Sequence, residues 1–149
     1  MTNILSVNPQ TLVSKVAGEL KKQKLVEPTE WSKFTKTGHH QERLPESEDW
    51  WYFRSAAILR SIAKLGPVGT MKLRVKFGGK KNRGHKPDKA YPASGAIIRN
   101  ILQQLEKSQL IKQIEKSIHK GRILTAQGDS FLNKIAVQIA KEEHKNGQK

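Results

Sequence analysis

Apolar residues recur at helical spacing in four stretches, and the central stretch runs from Ser47 to Gly66. Ser47 is a predicted N-cap, the acidic pair that follows suits the positive end of a helix dipole, and Gly66-Pro67 is a stop signal. At about 100° per residue, one broad face collects the apolar side chains. We expect this face to pack in a core: Trp51, Tyr52, Ala56, Ile58, Leu59, Ile62, Ala63 and Leu65.

The opposite face of this helix has two interpretations. It carries an indole and cations, namely Trp50, Arg54, Ala57, Ser61 and Lys64, with Phe53 and Arg60 at its borders. It can be an ordinary solvated surface, and because Arg54 and Arg60 lie on or beside it, we expect that replacing either hardly changes the fold. It can also be an RNA-binding surface, because an indole beside guanidinium groups can stack on bases and pair with phosphates.

Three other stretches predict amphipathic helices. The first begins at Asn8-Pro9, with proline at the first helical position, and ends near Leu25. The others begin at the predicted caps Ser94 and Thr125. Their apolar stripes are, in chain order, Leu12, Val13, Val16, Ala17 and Leu20; Ile97, Ile98, Ile101, Leu102 and Leu105; and Phe131, Leu132, Ile135, Ala136 and Ile139. The tail, about 141–149, should fray.

Two short strands are predicted between the last two helices. They are Leu110 to Ile114 and Arg122 to Leu124, on either side of a basic turn. Helix, helix, two-stranded wing, helix is the order of a winged-helix module. We therefore expect a single mainly α, winged-helix-like domain over residues 1–149, built around the central helix, with one small β-hairpin as its wing.

The segments before and after the central helix are less regular. Residues 27–46 show no helical or strand period, although Trp31 and Phe34 are spaced so that both can place one side against a core. The adjacent histidines His39 and His40 are interpreted as exposed or RNA-contacting rather than as metal ligands, because two neighbours cannot easily share one ion. Residues 68–77 favour a short helix, and their alternation also allows a strand.

The stretch 72–89 is the most basic part of the chain. It contains eight Lys and Arg and a single acid, Asp88. Glycines at 78, 79 and 84 allow close approach of the backbone. Like charges on a folded loop repel each other, so an anion that neutralises them is a better explanation than a merely solvated loop. We expect a loop that is mobile until RNA orders it.

Composition narrows the class of partner. Twenty-eight Lys and Arg against 13 Asp and Glu give a net charge of +15, which favours a polyanion, most commonly nucleic acid. The chain has no cysteine, so disulfides and thiolate zinc sites are excluded. With no apolar run of membrane-spanning length, no lipidation motif and no signal peptide, we expect a cytoplasmic protein that does not bind membranes.

Several motifs together resemble one protein family. They are Glu30-Trp31 with Lys36-Thr37-Gly38, Pro45, DWWYFRSAAILR, GPVG, FGGKKNRGHKP, SGAIIRNILQQLEK and GRILTAQG. In this order they are similar to the archaeal and eukaryotic small-subunit ribosomal proteins called "nineteen-e". The resemblance covers about residues 10–137. The length of the chain and its DWWY motif resemble archaeal members more than eukaryotic ones.

The resemblance implies a winged-helix-like fold around Trp50–Leu65, a place in the head of the small ribosomal subunit, and contacts with ribosomal RNA and neighbouring ribosomal proteins. Eukaryotic members are needed for late maturation of the small-subunit precursor RNA. Two segments depart from the family pattern. The wing turn, EKSIHKG, is not glycine-rich and acidic as it is in many members of the family. Ala90 and Ala93 stand in a segment that is often more basic in the family.

The charge pattern and the resemblance together define the predicted RNA contacts. By position, Trp50, Arg54 and Arg60 match family surface residues, and Gly78-Gly79 to Lys86 matches the family's basic loop. The full prediction is Trp50, Arg54, Arg60, Lys64, Lys72, Arg74, Lys76, Lys80, Lys81, Arg83, His85, Lys86, Lys89 and Arg99. We expect a monomer when free, with no cofactor and no metal.

The same sequence features allow two alternatives to an RNA-binding ribosomal protein. A winged-helix DNA-binding regulator would read bases with the helix before the wing, whose N-terminal half offers only Arg99 and Asn100. An enzyme is disfavoured, because no carboxylate pair, activated nucleophile or metal cluster occurs at a usable spacing.

Overall fold

The computed structural model describes residues 4–115 and 120–146, with side chains up to residue 142. It contains five α-helices and two antiparallel hairpins within these ranges. The elements, in chain order, are α1 (Pro9–Lys22), a 3₁₀ helix (Glu30–Phe34), α2 (Trp50–Leu65), α3 (Thr70–Lys76), β1 (Gly79–Arg83), β2 (Lys86–Tyr91), α4 (Gly95–Lys107), β3 (Ile111–Ile114), β4 (Gly121–Leu124) and α5 (Ala126–Asn146). The mainly helical, winged-helix-like prediction is confirmed, and the structure adds a second hairpin.

Helix α1 begins as its sequence predicts. The Asn8 side chain accepts a hydrogen bond from the Gln10 amide at 2.9 Å, with Pro9 at the first helical position. The helix ends at Lys22, three residues before the predicted end near Leu25. It buries Leu12, Val16, Ala17 and Leu20 against α2 and α5.

Helix α2 begins at Trp50, later than the cap signal at Ser47 predicts. The Asp49 carboxylate accepts hydrogen bonds from Lys21 Nζ of α1, at 2.8 Å from each oxygen, instead of capping its own helix. At the other end, Gly66 has a φ of +69°, which a glycine adopts at little cost. The predicted stop is therefore confirmed.

The apolar face of α2 packs at the centre of the molecule. Trp51, Ala56, Ile58, Leu59 and Ile62 are buried, whereas Leu65, predicted in the core, is 39% exposed because it lies at the helix end. Two serines are also buried, and each hydroxyl donates to the carbonyl four residues earlier. These are Ser55 to Trp51 at 2.8 Å and Ser61 to Ala57 at 2.7 Å.

The wing connects α4 to α5 as predicted. Strands β3 and β4 pair in register from Ile111 opposite Leu124 to Ile114 opposite Gly121. The predicted wing turn lies mostly outside the described residues. Thr125 Oγ1 accepts from the Gly128 amide at 3.1 Å and so caps α5. Helix α5 continues to Asn146, and Lys15 of α1 forms an ion pair with Glu142; the predicted fraying of the tail stays a prediction.

Helix α4 lies between this wing and the central helix. The five predicted apolar residues of its stripe are all buried: Ile97, Ile98, Ile101, Leu102 and Leu105. Its Gln104 side chain accepts a hydrogen bond from Trp51 Nε1 at 3.1 Å and donates to the Glu27 carbonyl at 2.7 Å. These two bonds join α4, α2 and the segment after α1. The Ser94 side chain makes no capping hydrogen bond with a described residue.

The basic stretch 72–89 differs most from its prediction. Residues 70–76 are helical, as favoured, but 79–91 form the β1–β2 hairpin rather than a loop. Gly78 permits this arrangement, because a Cβ there would lie 2.4 Å from the Tyr91 carbonyl oxygen. Close backbone approach at Gly78 therefore closes the base of the hairpin.

The segment 27–46 contains more structure than its sequence predicts. Residues 30–34 form the 3₁₀ helix. Trp31 packs edge-on against Trp51, with ring centroids 5.7 Å apart, as expected of a residue at the core. Phe34 was predicted to do the same and is instead 81% exposed, because it lies on the outer side of that short helix.

Candidate nucleic-acid interface

The β1–β2 hairpin presents cations opposite cations. Its register places Lys81 opposite Lys89 and Arg83 opposite Lys86. The hairpin is exposed along almost its whole length, including Lys80 in β1 and His85 in the turn. Like charges directly opposite each other destabilise a strand pair, so bound anions would stabilise this hairpin.

The base of the hairpin is fixed by aromatic residues. Lys81 Nζ lies 3.0 Å from His39 Nε2 and 5.9 Å from the centre of the Tyr91 ring. Because a lysine ammonium can only donate, the His39 Nε2 atom is the acceptor in this contact. The His39 and Tyr91 rings pack edge to face at 4.7 Å. These contacts orient the strands while leaving the tip free to meet a ligand.

His40 lies between the hairpin and helix α2. A Cβ on Gly38 would be 2.8 Å from its ring and one on Gly79 would be 3.0 Å away, so the imidazole fits between two glycines. The ring is half-buried and its Nδ1 atom has no hydrogen-bond partner among the described residues. Burial and, to a smaller extent, the positive charge of Arg54 lower the pKa of His40. Its ring is therefore neutral near pH 7.

The outer face of α2 is less exposed than its helical pattern predicts. Trp50 is half-buried and packs edge to face on Trp51, with centroids 5.3 Å apart. The Arg54 guanidinium lies 4.7 Å from the centre of the Phe77 ring, and burial lowers the pKa of Arg54. Arg60 is also half-buried. Both arginines therefore contribute packing as well as charge, and we expect their replacement to lower stability more than that of a cation on a fully solvated face.

Three cations of α2 and α3 lie close together. They are Arg60, Lys64 and Lys76, which we call the α2–α3 cation cluster. Burial, followed by the repulsion of Arg60 and Lys64, lowers the pKa of Lys76. The ion pairs among the described residues include none of the three. A cluster of cations without carboxylates can accommodate a phosphate backbone.

Two arginines, Arg74 and Arg99, lie close together at the start of α4. Arg74 Nε donates to the Ala93 carbonyl at 3.0 Å, which holds its side chain against the segment before the helix. A Cβ on Gly95 would lie 3.3 Å from Arg74 Nε and 3.0 Å from Arg99 Nη1, so both guanidinium groups reach this glycine. Arg99 is exposed, and so is Lys72 on α3.

In the structure, the predicted RNA-contacting residues lie in separate groups. The hairpin carries Lys80, Lys81, Arg83, His85, Lys86 and Lys89; the α2–α3 cation cluster and the Arg74–Arg99 pair are two further groups. Trp50 and Arg54 lie on the outer face of α2. The sequence pattern missed the positioning roles of His40 and Phe77. For Phe77 the sequence signal is the glycine that follows it, Gly78, where the fold has no room for a Cβ; His40 has no such neighbour and stands two residues after Gly38.

The acidic, histidine and apolar residues also bear on the kind of site. The described residues contain no group of three or more His, Cys, Asp or Glu that could hold a metal ion. In the same part of the chain, no helix is both long and apolar enough to cross a membrane.

Comparison with known proteins points to one family. The family model described as "Ribosomal protein S19e" matches residues 3–142. Small ribosomal subunit protein eS19 of Aeropyrum pernix is 40% identical over 144 residues, covering 95% of this chain and 92% of that protein. Small ribosomal subunit protein eS19A of Schizosaccharomyces pombe is 36% identical over 141 residues, covering 95% of this chain and 96% of that protein.

Proposed function

The chain belongs to the S19e family of ribosomal proteins, and we propose that it binds ribosomal RNA through the basic groups described above. Proteins of this family are structural constituents of the small ribosomal subunit rather than enzymes. Its location is accordingly the cytoplasmic ribosome, where it associates with ribosomal RNA and with other ribosomal proteins. The family assignment made from the motifs is confirmed.

The pairing of cations across the hairpin carries the RNA-binding proposal. Lys81 with Lys89 and Arg83 with Lys86 would repel each other in the free protein, and phosphates between or beside them would remove that repulsion. The other groups extend the same charge onto α2, α3 and the start of α4. Irregular folded RNA suits this arrangement better than a straight duplex groove does, because the cations lie on several elements rather than on one recognition helix.

The finer parts of the proposal rest on the family resemblance. They are a place in the head of the subunit, a role in subunit assembly or precursor RNA maturation, and a monomeric state before assembly. The alternative, a winged-helix DNA-binding regulator, has less support. The helix before the wing is α4, and its buried stripe leaves Arg99 as the exposed cation of its first two turns.

Salt dependence of RNA binding tests the proposal. Each phosphate contact adds about 0.7–0.9 to the log–log slope of affinity against salt concentration. The double variant Lys86→Gln/Lys89→Gln should therefore lower the slope for small-subunit ribosomal RNA by up to about two. The matched control is Lys107→Gln/Lys134→Gln, which removes two exposed cations from α4 and α5. Equal slopes for the two double variants would overturn the proposed role of the hairpin.

A further inference from the structure

A shallow groove opens on the outer side of α2. Its volume is about 490 Å³, in the range of small-ligand sites. One wall is the outer face of α2, with Trp50, Phe53, Arg54 and Ala57, and the other side includes Phe77 and Val13. The lining is mostly aromatic and aliphatic, and Arg54 is its cation.

Arg54 is prepared to contact an anion at the edge of this groove. Its guanidinium packs against the Phe77 ring at 4.7 Å, so its plane is held by an aromatic neighbour. It is half-buried, and none of the ion pairs formed by the described residues includes it. A partly desolvated cation without a carboxylate is costly, and an incoming phosphate would reduce that cost.

Phe53 supplies an accessible ring at the same place. It is 38% exposed, although phenylalanine is normally buried in a helix that packs on two neighbours. Aromatic rings and guanidinium planes are the surfaces on which proteins stack unpaired bases of RNA. An apolar protein segment would also bury Phe53, but it would leave the Arg54 charge without a partner.

We propose that this groove receives one unstacked nucleobase of ribosomal RNA, with the attached phosphate at Arg54. The inference rests on the proposed RNA binding and adds a contact of a different kind. The hairpin neutralises phosphates whatever the base, whereas the groove holds a base through its π face. Lys76 of the α2–α3 cation cluster directly precedes Phe77 in the chain and can contact the adjoining phosphate backbone.

Phe53→Leu tests the base contact while keeping an apolar side chain. Affinity for small-subunit ribosomal RNA should fall about fivefold or more, because stacking on an aromatic ring is lost. The log–log salt slope should stay as in the wild type, because no phosphate contact is removed. The matched control is Phe34→Leu, at an exposed phenylalanine outside the groove lining, and it should leave affinity unchanged.

A second variant, Ala57→Leu, fills the groove without removing a ring and should lower affinity similarly. Thermal melting of each variant confirms that the fold is intact. Wild-type affinity in both Phe53→Leu and Ala57→Leu overturns the inference, while a reduced slope in Lys86→Gln/Lys89→Gln would still support the proposed function. Normal affinity for naked RNA with impaired entry into small subunits would also overturn it, since the groove would then hold a protein segment.

Discussion

Leu59 is the clearest case of a residue whose role is packing. It is fully buried on the inner face of α2. Leu59→Ala leaves a cavity between packed helices and should lower the free energy of unfolding by about 2–5 kcal/mol. Urea denaturation measures this loss. Leu65→Ala, on the same helix but 39% exposed, should lose less than about 1.5 kcal/mol. Equal losses at the two positions would contradict the assigned burial of α2.

His40 should make the stability of the protein depend on pH. Its pKa in the folded protein is lowered by burial and by Arg54, so below pH 6.5 the unfolded chain binds more protons at this residue than the folded chain does. The contribution of the neutral ring is complete above pH 6.5 and is lost as the pH falls towards the lowered pKa.

Urea midpoints at pH 7.5 and 5.5 measure this effect. The wild type should lose more stability between the two values than His40→Gln does. His85→Gln, which removes an exposed histidine at the hairpin tip, should lose as much as the wild type. A His40→Gln variant with the full pH dependence would show that this ring does not titrate as described.

At the scale of elements, local sequence was sufficient where a helix carries its own signals. Helices α1, α4 and α5 combine a buried stripe with a start near the predicted cap, and for α1 and α5 the capping bonds of Asn8 and Thr125 are present. The predicted start of α2 at Ser47 was early, because the Trp50 amide donates to the Ser47 carbonyl at 3.2 Å and residues 47–49 form a turn before the helix. Asp49, the residue before the helix, binds Lys21, which lies 28 positions away and which no local pattern reveals.

The hairpin could not be predicted for a similar reason. Its sequence alternates cations with glycine and other polar residues, so no apolar period indicates strands. Its shape depends on contacts with His39 and His40, which belong to another segment, and on the close approach of the Gly78 backbone to Tyr91. In the same way, a helical wheel of α2 cannot show that Phe77 covers Arg54.

The free hairpin should be the first place that trypsin cleaves. A two-stranded ribbon is marginally stable by itself, and the ring and hydrogen-bond contacts of this one with His39 involve Lys81 and Tyr91, away from its tip. Cleavage should begin near the tip, after Arg83, and ribosomal RNA should protect that bond; the bond after Lys86 precedes Pro87 and is not a trypsin site. Mass spectrometry of early digests identifies the sites. Initial cleavage within α1 while the hairpin resists would contradict this prediction.

At the scale of the whole molecule, a single cluster of buried apolar residues supports several basic surfaces. The core joins α1, α2, α4, α5 and the wing, and the basic groups lie outside it on α2, α3, the hairpin and the start of α4. The net charge of +15 was a reliable sign of a polyanionic partner, but it could not indicate which surface is used. The fold determines where the basic surface lies, because it brings residues 50–64 and 72–99 together.

Ultraviolet cross-linking within purified small subunits, followed by mass spectrometry of peptides that carry nucleotides, tests the central claim most directly. The proposed interface predicts cross-links in peptides from residues 50–64 and 72–91, with Phe53 and Tyr91 as the aromatic residues suited to the photochemistry. Cross-links confined to α1 and α5, with none from the hairpin or the outer face of α2, would contradict the proposed interface.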